Sequence, residues 1–382
     1  MRVKQILGVA TAFLLLVSVT VALGQSARSA GGTHLPAAAP APVVVAPTTT
    51  TEAPTTTSTV TVPPPPSTTA APAPVLTDGP VVQLGCPPPP PPNPPPPTTE
   101  PWHPAVLVPD SRLPEPAAAR AWPSDPRAAF GKGMWVWQWT GTEGGDADAV
   151  VTRARHAGLH QLWVRVGDSQ SGFYAAGELD QLVAKAHAGG LSVIGWGFPY
   201  LYDPVGDAGW TQQALDWRGA GGERLDGFSA DVERPSEGVM LTARRVAVYF
   251  DLVRRHAGSR LIVATVYPPI DAYWRMGGYP FSAMAPYIDV FAPMVYWECT
   301  DPGADARQAV ERLRTLRPVH LIGQAYGMAD VPGGRVNAPS AAETLRFMAA
   351  GRGAGAIGAS FWVWNTMDAA EWGALSGYPW RP

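Results

Sequence analysis

Two carboxylates close one short apolar stretch of this chain. Leu225-Asp226-Gly227-Phe228-Ser229-Ala230-Asp231-Val232-Glu233 reads as a strand ending in acids spaced i, i+2. Side chains alternate faces along a strand, so Asp231 and Glu233 point the same way, about 6–7 Å apart along it. Desolvating two carboxylates at the end of a buried strand is costly, and acid–base chemistry is a common reason for keeping them there. The structural alternative is an ion pair with Arg165 or Arg234.

The elements that must position this pair start at Phe130, where the texture of the chain changes. Strand patterns are expected over Gly133–Trp139, His160–Gly167, Leu191–Tyr200, Leu225–Glu233, Arg260–Pro268, Ile288–Trp297, Val319–Gly327 and Gly355–Asn365. Amphipathic helical stretches lie between them: Asp146–Ala157, Glu178–Ala188, Trp210–Arg218, Leu241–His256, Asp305–Arg317, Ser340–Ala350 and Asp368–Leu375, with a short turn near Phe281–Pro286. Asp146, Asp305 and Ser340 are expected N-caps, and Gly189-Gly190 and Gly258 sit where helices end. Eight β/α repeats in about 250 residues give the expected fold, an α/β (β/α)8 barrel. No Gly-rich phosphate loop follows an early strand, which argues against a doubly wound open sheet.

Sites in such barrels lie at the C-terminal ends of the strands. Those ends offer Trp137 and Trp139, Arg165 and Asp168, Trp196 and Tyr200, Asp231 and Glu233, and Tyr267. The last three offer Met294, Tyr296, Trp297 and Glu298, then Gln324 and Tyr326, then Trp362, Trp364 and Asn365. The set describes a cleft walled by aromatics with acids at its centre. Indole faces suit the C–H faces of sugar rings, and core layers alone prefer branched aliphatics. Any single Trp is as well placed for packing, because alternate residues must face the helices.

Histidine is missing from those strand ends. His160 and His320 fall at strand starts, and His156, His187 and His256 near helix ends. That disfavours a metallohydrolase and a Ser-His-Asp hydrolase, so no metal or cofactor is expected. Carboxylates and tyrosines remain, the equipment of glycoside cleavage. From the residues alone, Glu233 is the acid, and Glu298 is a candidate second carboxylate for a conventional mechanism.

Asp226-Gly227-Phe228-Ser229-Ala230-Asp231-Val232-Glu233 resembles the DGxDxDxE signature of glycoside hydrolase family 18, the chitinase-like barrels. Met294-Val295-Tyr296 resembles that family's Met-x-Tyr motif, and Trp362 its sugar-platform Trp. Two positions depart from the pattern: Ser229 replaces the middle Asp, and Trp297 stands where Asp or Asn is usual. The resemblance implies Glu233 as general acid and then base. It implies that Asp231 orients a substrate 2-acetamido group acting as internal nucleophile, with Tyr296 bonding that group and Trp362 flooring the central subsite. Ser229 could still hydrogen-bond Asp231, whereas Trp297 counts against recognition of an N-acetyl group. Family 25 muramidases are a second resemblance, through Asp-x-Glu on a barrel strand. They carry an acid on the first strand, where this chain has Gly133-Met134-Trp135-Val136-Trp137.

The rest of the 382 residues bound the context. Residues 1–24 place Arg2 and Lys4 before an apolar run from Ile6, which reads as a secretory signal or an uncleaved membrane anchor. Residues 25–125 are dominated by Pro, Thr, Ala and Val and read as an extended, disordered spacer. Residues 126–382 form the barrel. A secreted or cell-surface location follows, with membrane contact only through an uncleaved anchor. The net charge of −3 leaves no basic footprint for nucleic acid. Cys86 and Cys299 are far apart in sequence and are expected as free thiols. The expected partner is a polysaccharide or oligosaccharide, and the expected state a monomer. The three readings in competition are a hydrolase acting on a wall or environmental polysaccharide, a catalytically silent lectin-like barrel, and a surface-displayed adhesion protein.

Overall fold

A computed structural model describes residues 104, 106–117, 122, 125–270, 278–327 and 335–380. The expected signal, most of the expected spacer and Cys86 lie outside the described residues.

The described strands are β1 (Gly131–Val136), β2 (Gln161–Asp168), β3 (Gly172–Phe173), β4 (Ser192–Phe198), β5 (Gly227–Val232), β6 (Leu261–Val266), β7 (Val290–Val295), β8 (His320–Gln324) and β9 (Gly358–Trp362). All except β3 pair in parallel with their neighbours, in the order β1-β9-β8-β7-β6-β5-β4-β2. A parallel β1–β2 pairing closes the ring. This is a (β/α)8 barrel. The two-residue β3 folds back antiparallel on the end of β2.

The helices are α1 (Ala147–His156), α2 (Ala176–Ala188), α3 (Pro204–Asp216), α4 (Ala243–Ala257), α5 (Phe281–Met284), α6 (Pro302–Leu313), α7 (Ala341–Ala354) and α8 (Ala369–Gly377). Their starts follow local chemistry. Asp146 caps α1 by accepting from Asp148 and Ala149 N–H, and Ser340 with Glu343 forms a capping box on α7. Two expected starts move. The cap of α6 is Asp301, not Asp305, because Pro302 takes the first helical position; Asp305 accepts instead from the Thr300 hydroxyl. Helix α3 begins at Pro204 behind the cap Asp203, six residues before the expected Trp210.

Alternate strand residues divide into two apolar layers. One layer, between sheet and helices, includes Phe228, Ala230 and Val232 of β5 together with Phe291 and Val295 of β7. The other fills the barrel and is built around Trp135, Trp137, Trp163, Trp196, Ile194, Val263, Met294 and Ile322. Trp135 stacks on Trp163 with ring centres 5.0 Å apart and planes at 11°. Its Nε1–H donates to Ser360 Oγ at 2.8 Å. The interior is therefore packed with indoles as well as with branched aliphatics such as Ile194, Val263 and Ile322. Small residues make the room: a Cβ on Gly133 would lie 2.7 Å from Trp163 Nε1.

Part of the stretch expected to be spacer is attached to the barrel. Val108 N–H donates to Tyr202 O, and Arg245 pairs with Asp110 at 2.7 Å. Ala117 N–H donates to Asp251 Oδ2 at 3.1 Å, and Tyr287 Oη donates to Ala117 O at 2.8 Å. Cys299 is disulfide-bonded rather than free, which overturns the free-thiol expectation there. Among the described residues, no helix is long and apolar enough to cross a membrane.

Candidate active site

Strand β5 sends Phe228, Ala230 and Val232 into the helix layer, so Ser229 and Asp231 face the barrel interior, and Glu233 follows on the same side as the strand ends. Asp231 is 8% exposed and Glu233 5%. Asp231 Oδ1 and Glu233 Oε2 have no hydrogen-bond partner. Asp226, first acid of the same stretch, is structural: it accepts from Val193 N–H at 2.7 Å and meets His187 Nε2 at 3.0 Å.

The ion-pair alternative is not what these arginines do. Arg165 pairs with Asp168 at 3.0 Å, and Arg234 lies over the Tyr267 ring at 4.0 Å. Nor does Ser229 bond Asp231; its hydroxyl meets Thr265 Oγ1 on β6 at 2.8 Å. Asp231 is thus left without a side-chain partner on its own strand.

Burial sets the protonation of this pair. Asp231 is pushed up to about 7, first by burial and then by Glu237, with Arg165 opposing. Glu233 is raised well above the ordinary carboxylate range by burial and by the neighbouring Asp231 and Glu237, against Arg234 and a hydrogen bond from Tyr267. Two neighbouring buried carboxyls cannot both ionise cheaply, so each raises the cost of ionising the other.

Around the pair stand side chains from several strand ends, as a barrel mouth requires. Tyr267 and Tyr296 are half-buried against the interior cluster, as is Trp362. Trp362 lies 6.0 Å from Trp137 and 5.2 Å from Trp196. Tyr326 packs edge-on to Tyr296 at 5.7 Å. Met294 is nearly buried among them. Gln324, fully buried at the end of β8, accepts from Glu298 N–H at 2.9 Å and donates to Tyr326 O at 2.9 Å. Glu298 has φ 48, in the left-handed region unusual for a non-glycine residue. The chain has left the strand there, so face alternation no longer assigns its direction. Arg335 donates to Glu298 O at 2.9 Å, and burial pushes the Glu298 carboxyl up to about 7.

Four expected cleft residues belong to packing instead. Trp297 is 1% exposed and faces the helices, 5.1 Å from Phe347 of α7, because it is one position out of phase with Tyr296. Trp364 likewise points outward, donating to Glu143 Oε1 at 3.0 Å and packing on Trp372. Trp196 faces inward but lies at the depth of the core, 1% exposed, with its Nε1–H on Val136 O. Trp137 is 7% exposed and packs beneath Trp362.

Two residues at the site escaped the sequence reading. Glu237 ends a 3-10 turn, Pro235–Glu237, and is 3% exposed; it accepts from the Tyr267 hydroxyl at 3.4 Å. Tyr279 donates to Val232 O at 2.5 Å, and its hydroxyl is raised well above its usual range by burial, then by Glu233 and Asp231. The only signal for Glu237 was its place in the first loop residues after the acid pair. Tyr279 had none, since it follows an irregular connection.

No family model matches this chain, and no curated protein matches it. Among solved structures it is similar to a chitinase from Rhizomucor miehei, at 16% identity over 64% of this chain and 98% of that one, with a TM-score of 0.48. It is also similar to the C-terminal domain of a putative chitinase from Desulfitobacterium hafniense, at 12% identity over 65% of this chain and 99% of that one, with a TM-score of 0.49. A GH53 catalytic domain from Ignisphaera aggregans is a third, at 15% identity over 71% of this chain and 99% of that one, with a TM-score of 0.47. Likeness at this level says nothing about chemistry, which rests on the side chains described above.

Proposed function

We propose that this chain is a glycan-cleaving hydrolase in which Glu233 is the general acid and then the general base. One observation carries the reading: Glu233 is a buried carboxyl at the barrel mouth, raised by burial, with an oxygen that no protein group engages. Such a group can hand its proton to a glycosidic oxygen at neutral pH and take one back from water. Half-buried Tyr267, Tyr296, Tyr326 and Trp362 supply flat faces and hydroxyls for a sugar above it.

The finer reading follows the chitinase-like resemblance. Glu233 protonates the leaving oxygen while the substrate's own 2-acetamido oxygen attacks the anomeric carbon. Asp231 orients that group, Tyr296 bonds it and Trp362 floors the subsite; water then opens the intermediate with Glu233 as base. A conventional mechanism with Glu298 as second carboxylate is supported by its burial and raised pKa. Neither needs a cofactor. We further read residues 1–24 as an export signal or anchor and 25–125 as largely a spacer presenting a monomeric barrel outside the cell, on the texture of the sequence. A silent glycan-binding barrel is the second reading. It is favoured by one observation, that Ser229 engages Thr265 and leaves Asp231 without the family's usual partner.

The test compares wild type with Glu233→Gln for reducing-sugar release from a panel of wall polysaccharides, and for binding to the same panel. A hydrolase loses turnover and keeps affinity. Binding by both forms with turnover by neither selects the silent barrel and sinks the hydrolase.

A further inference from the structure

Strand β2 carries an arginine on the inner face of the barrel, and most of its hydrogen-bonding capacity is unspent. Leu162, Val164 and Val166 enter the helix layer, so Arg165 shares the inward face with Trp163. Trp163 is sealed, whereas the Arg165 side chain is 20% exposed. The interior of such a barrel is packed, so an inward side chain near the C-terminal strand ends meets solvent through the mouth. Register sets it in line with the acid pair. Arg165 lies opposite Trp196 on β4, and Trp196 opposite Ser229 on β5, one inward position below Asp231. Two strand spacings make that row about 10 Å long.

The guanidinium is held in place without being used up. Asp168 Oδ1 accepts from Gln170 N–H at 3.0 Å and Ser171 N–H at 2.7 Å, which fixes that carboxylate. Its Oδ2 accepts from Arg165 Nη2 at 3.0 Å. The guanidinium carbon lies 5.7 Å from the centre of the Trp196 ring. Trp196 is fixed in turn by its bond to Val136 O and by Trp362, 5.2 Å away. A guanidinium carries five N–H donors. Arg165 Nε is buried without a hydrogen-bond partner, and Asp168 takes only Nη2. Arginines that serve structure are spent more fully. Arg254 donates to the Tyr287, Gly258 and Arg260 carbonyls and to Asp289. Arg335 donates to the Asn337, Glu298 and Ala338 carbonyls and to both oxygens of Glu343.

We propose that Arg165 recognises a carboxylate carried by the glycan, so that the substrate of this barrel is an acidic polysaccharide. The proposal rests on the reading of the mouth as a glycan site. When a sugar fills the mouth, the open guanidinium nitrogens lose their water. A neutral hydroxyl replaces one hydrogen bond, whereas a carboxylate matches the fork with two and offsets the charge. The single contact to Asp168 leaves the Nη1 side free for that pairing. The next acid along the row does not oppose it in mild acid, because burial pushes Asp231 up to about 7. Two kinds of sugar carry the required group: an N-acetylhexosamine with a lactyl ether, and a hexuronic acid.

The experiment titrates full-length protein at pH 6 with tetrasaccharides, in a Glu233→Gln background so that no ligand is consumed. The probes are a lactyl-bearing N-acetylhexosamine tetramer, a hexuronate tetramer, the carboxamide of each, and the neutral N-acetylglucosamine tetramer. We expect at least one carboxylate probe to bind about tenfold or more tighter than its own carboxamide. Which probe shows the preference identifies the source of the carboxylate. Arg165→Gln should reduce that ratio to about twofold or less and leave the neutral tetramer within about twofold, with the fold intact by circular dichroism. Arg165→Lys, which keeps the charge and loses the fork, should fall between. Equal affinity for carboxylate and carboxamide in both pairs, or no binding of either carboxylate probe, overturns the proposal. So does a preference that survives Arg165→Gln, or a variant that weakens all probes alike. If Arg165→Gln fails to fold, the carboxylate-to-carboxamide ratio with Arg165 in place, set beside Arg165→Lys, still decides. A failure of the hydrolase reading shows separately, as absent turnover by the wild type, whereas a failure here shows as lost discrimination in binding.

Discussion

At the N-terminal end of the barrel, Asp289 precedes β7, buried beside an equally buried Arg254. The two pair at 2.5 Å; Asp289 also accepts from Ile262 N–H, and Arg254 donates to Tyr287 O. At the C-terminal end, Asp231 and Glu233 are almost as deep, yet each keeps an oxygen without a partner. Arg335 and Glu343, elsewhere in the shell, repeat the first pattern with two contacts of 2.7 and 2.8 Å. These two pairs satisfy their buried charges, whereas Asp251 and Glu371, also structural, each keep one buried oxygen without a partner. The acids at the mouth are left wanting partners, and a buried polar group without one is destabilising. What sets the mouth apart is that two such acids lie two residues apart on one strand end, each raising the cost of ionising the other.

The contrast can be broken by exchanging roles. The largest effect is expected from Glu233→Gln, which should cut glycan hydrolysis by about 10²–10⁴-fold while the protein stays folded. Turnover kinetics beside a urea melt check both halves. Next is Asp289→Ala, which strands the buried Arg254 guanidinium. It should cost about 3–5 kcal/mol in urea unfolding, and a loss under about 1 kcal/mol would erase the distinction between the two ends.

Asp231→Asn should act in the opposite direction. The folded pKa of Asp231 is raised, from the usual 3.8 to about 7, so the native state binds the proton more tightly than the unfolded chain. Its contribution is most favourable below pH 3.8 and is lost as pH rises through about 7. The asparagine variant should therefore be the more stable by about 1–3 kcal/mol at pH 8, with the gap closing towards pH 4. Urea midpoints measured across that range decide it; a variant less stable than wild type at pH 8 would contradict the assigned sign. The smallest effect is at the rim. Trp362→Ala should weaken glycan binding by about 1 kcal/mol, roughly a factor of five, by titration with an oligosaccharide.

Much of the fold was legible because its signals are local. Nearly every β/α repeat carries an apolar run and an amphipathic stretch, the connection after the fifth barrel strand being the exception, and Asp146 and Ser340 announced their helices through hydrogen bonds spanning two or three residues. The pairing of Asp231 with Glu233 on one face follows from strand geometry alone. Trp297 and Trp364 were misplaced because a strand list without a register cannot say where alternation begins and ends. Trp196 faced the expected way, but depth is not written in alternation. Pro302 moved a helix start that Asp305 seemed to mark. Glu237 lay beyond the last periodic residue, where no pattern points.

The amino-acid order by itself determined the barrel, its eight repeats and the acid pair at the end of the fourth barrel strand, since propensity, capping and face alternation act over a few residues. Only the tertiary structure decided which aromatics fill the core and which rim the mouth, that Ser229 answers to Thr265, and that Tyr267 meets Glu237. Those outcomes depend on depth, on cross-strand register and on a turn that reverses the chain, and these are properties of elements packed together.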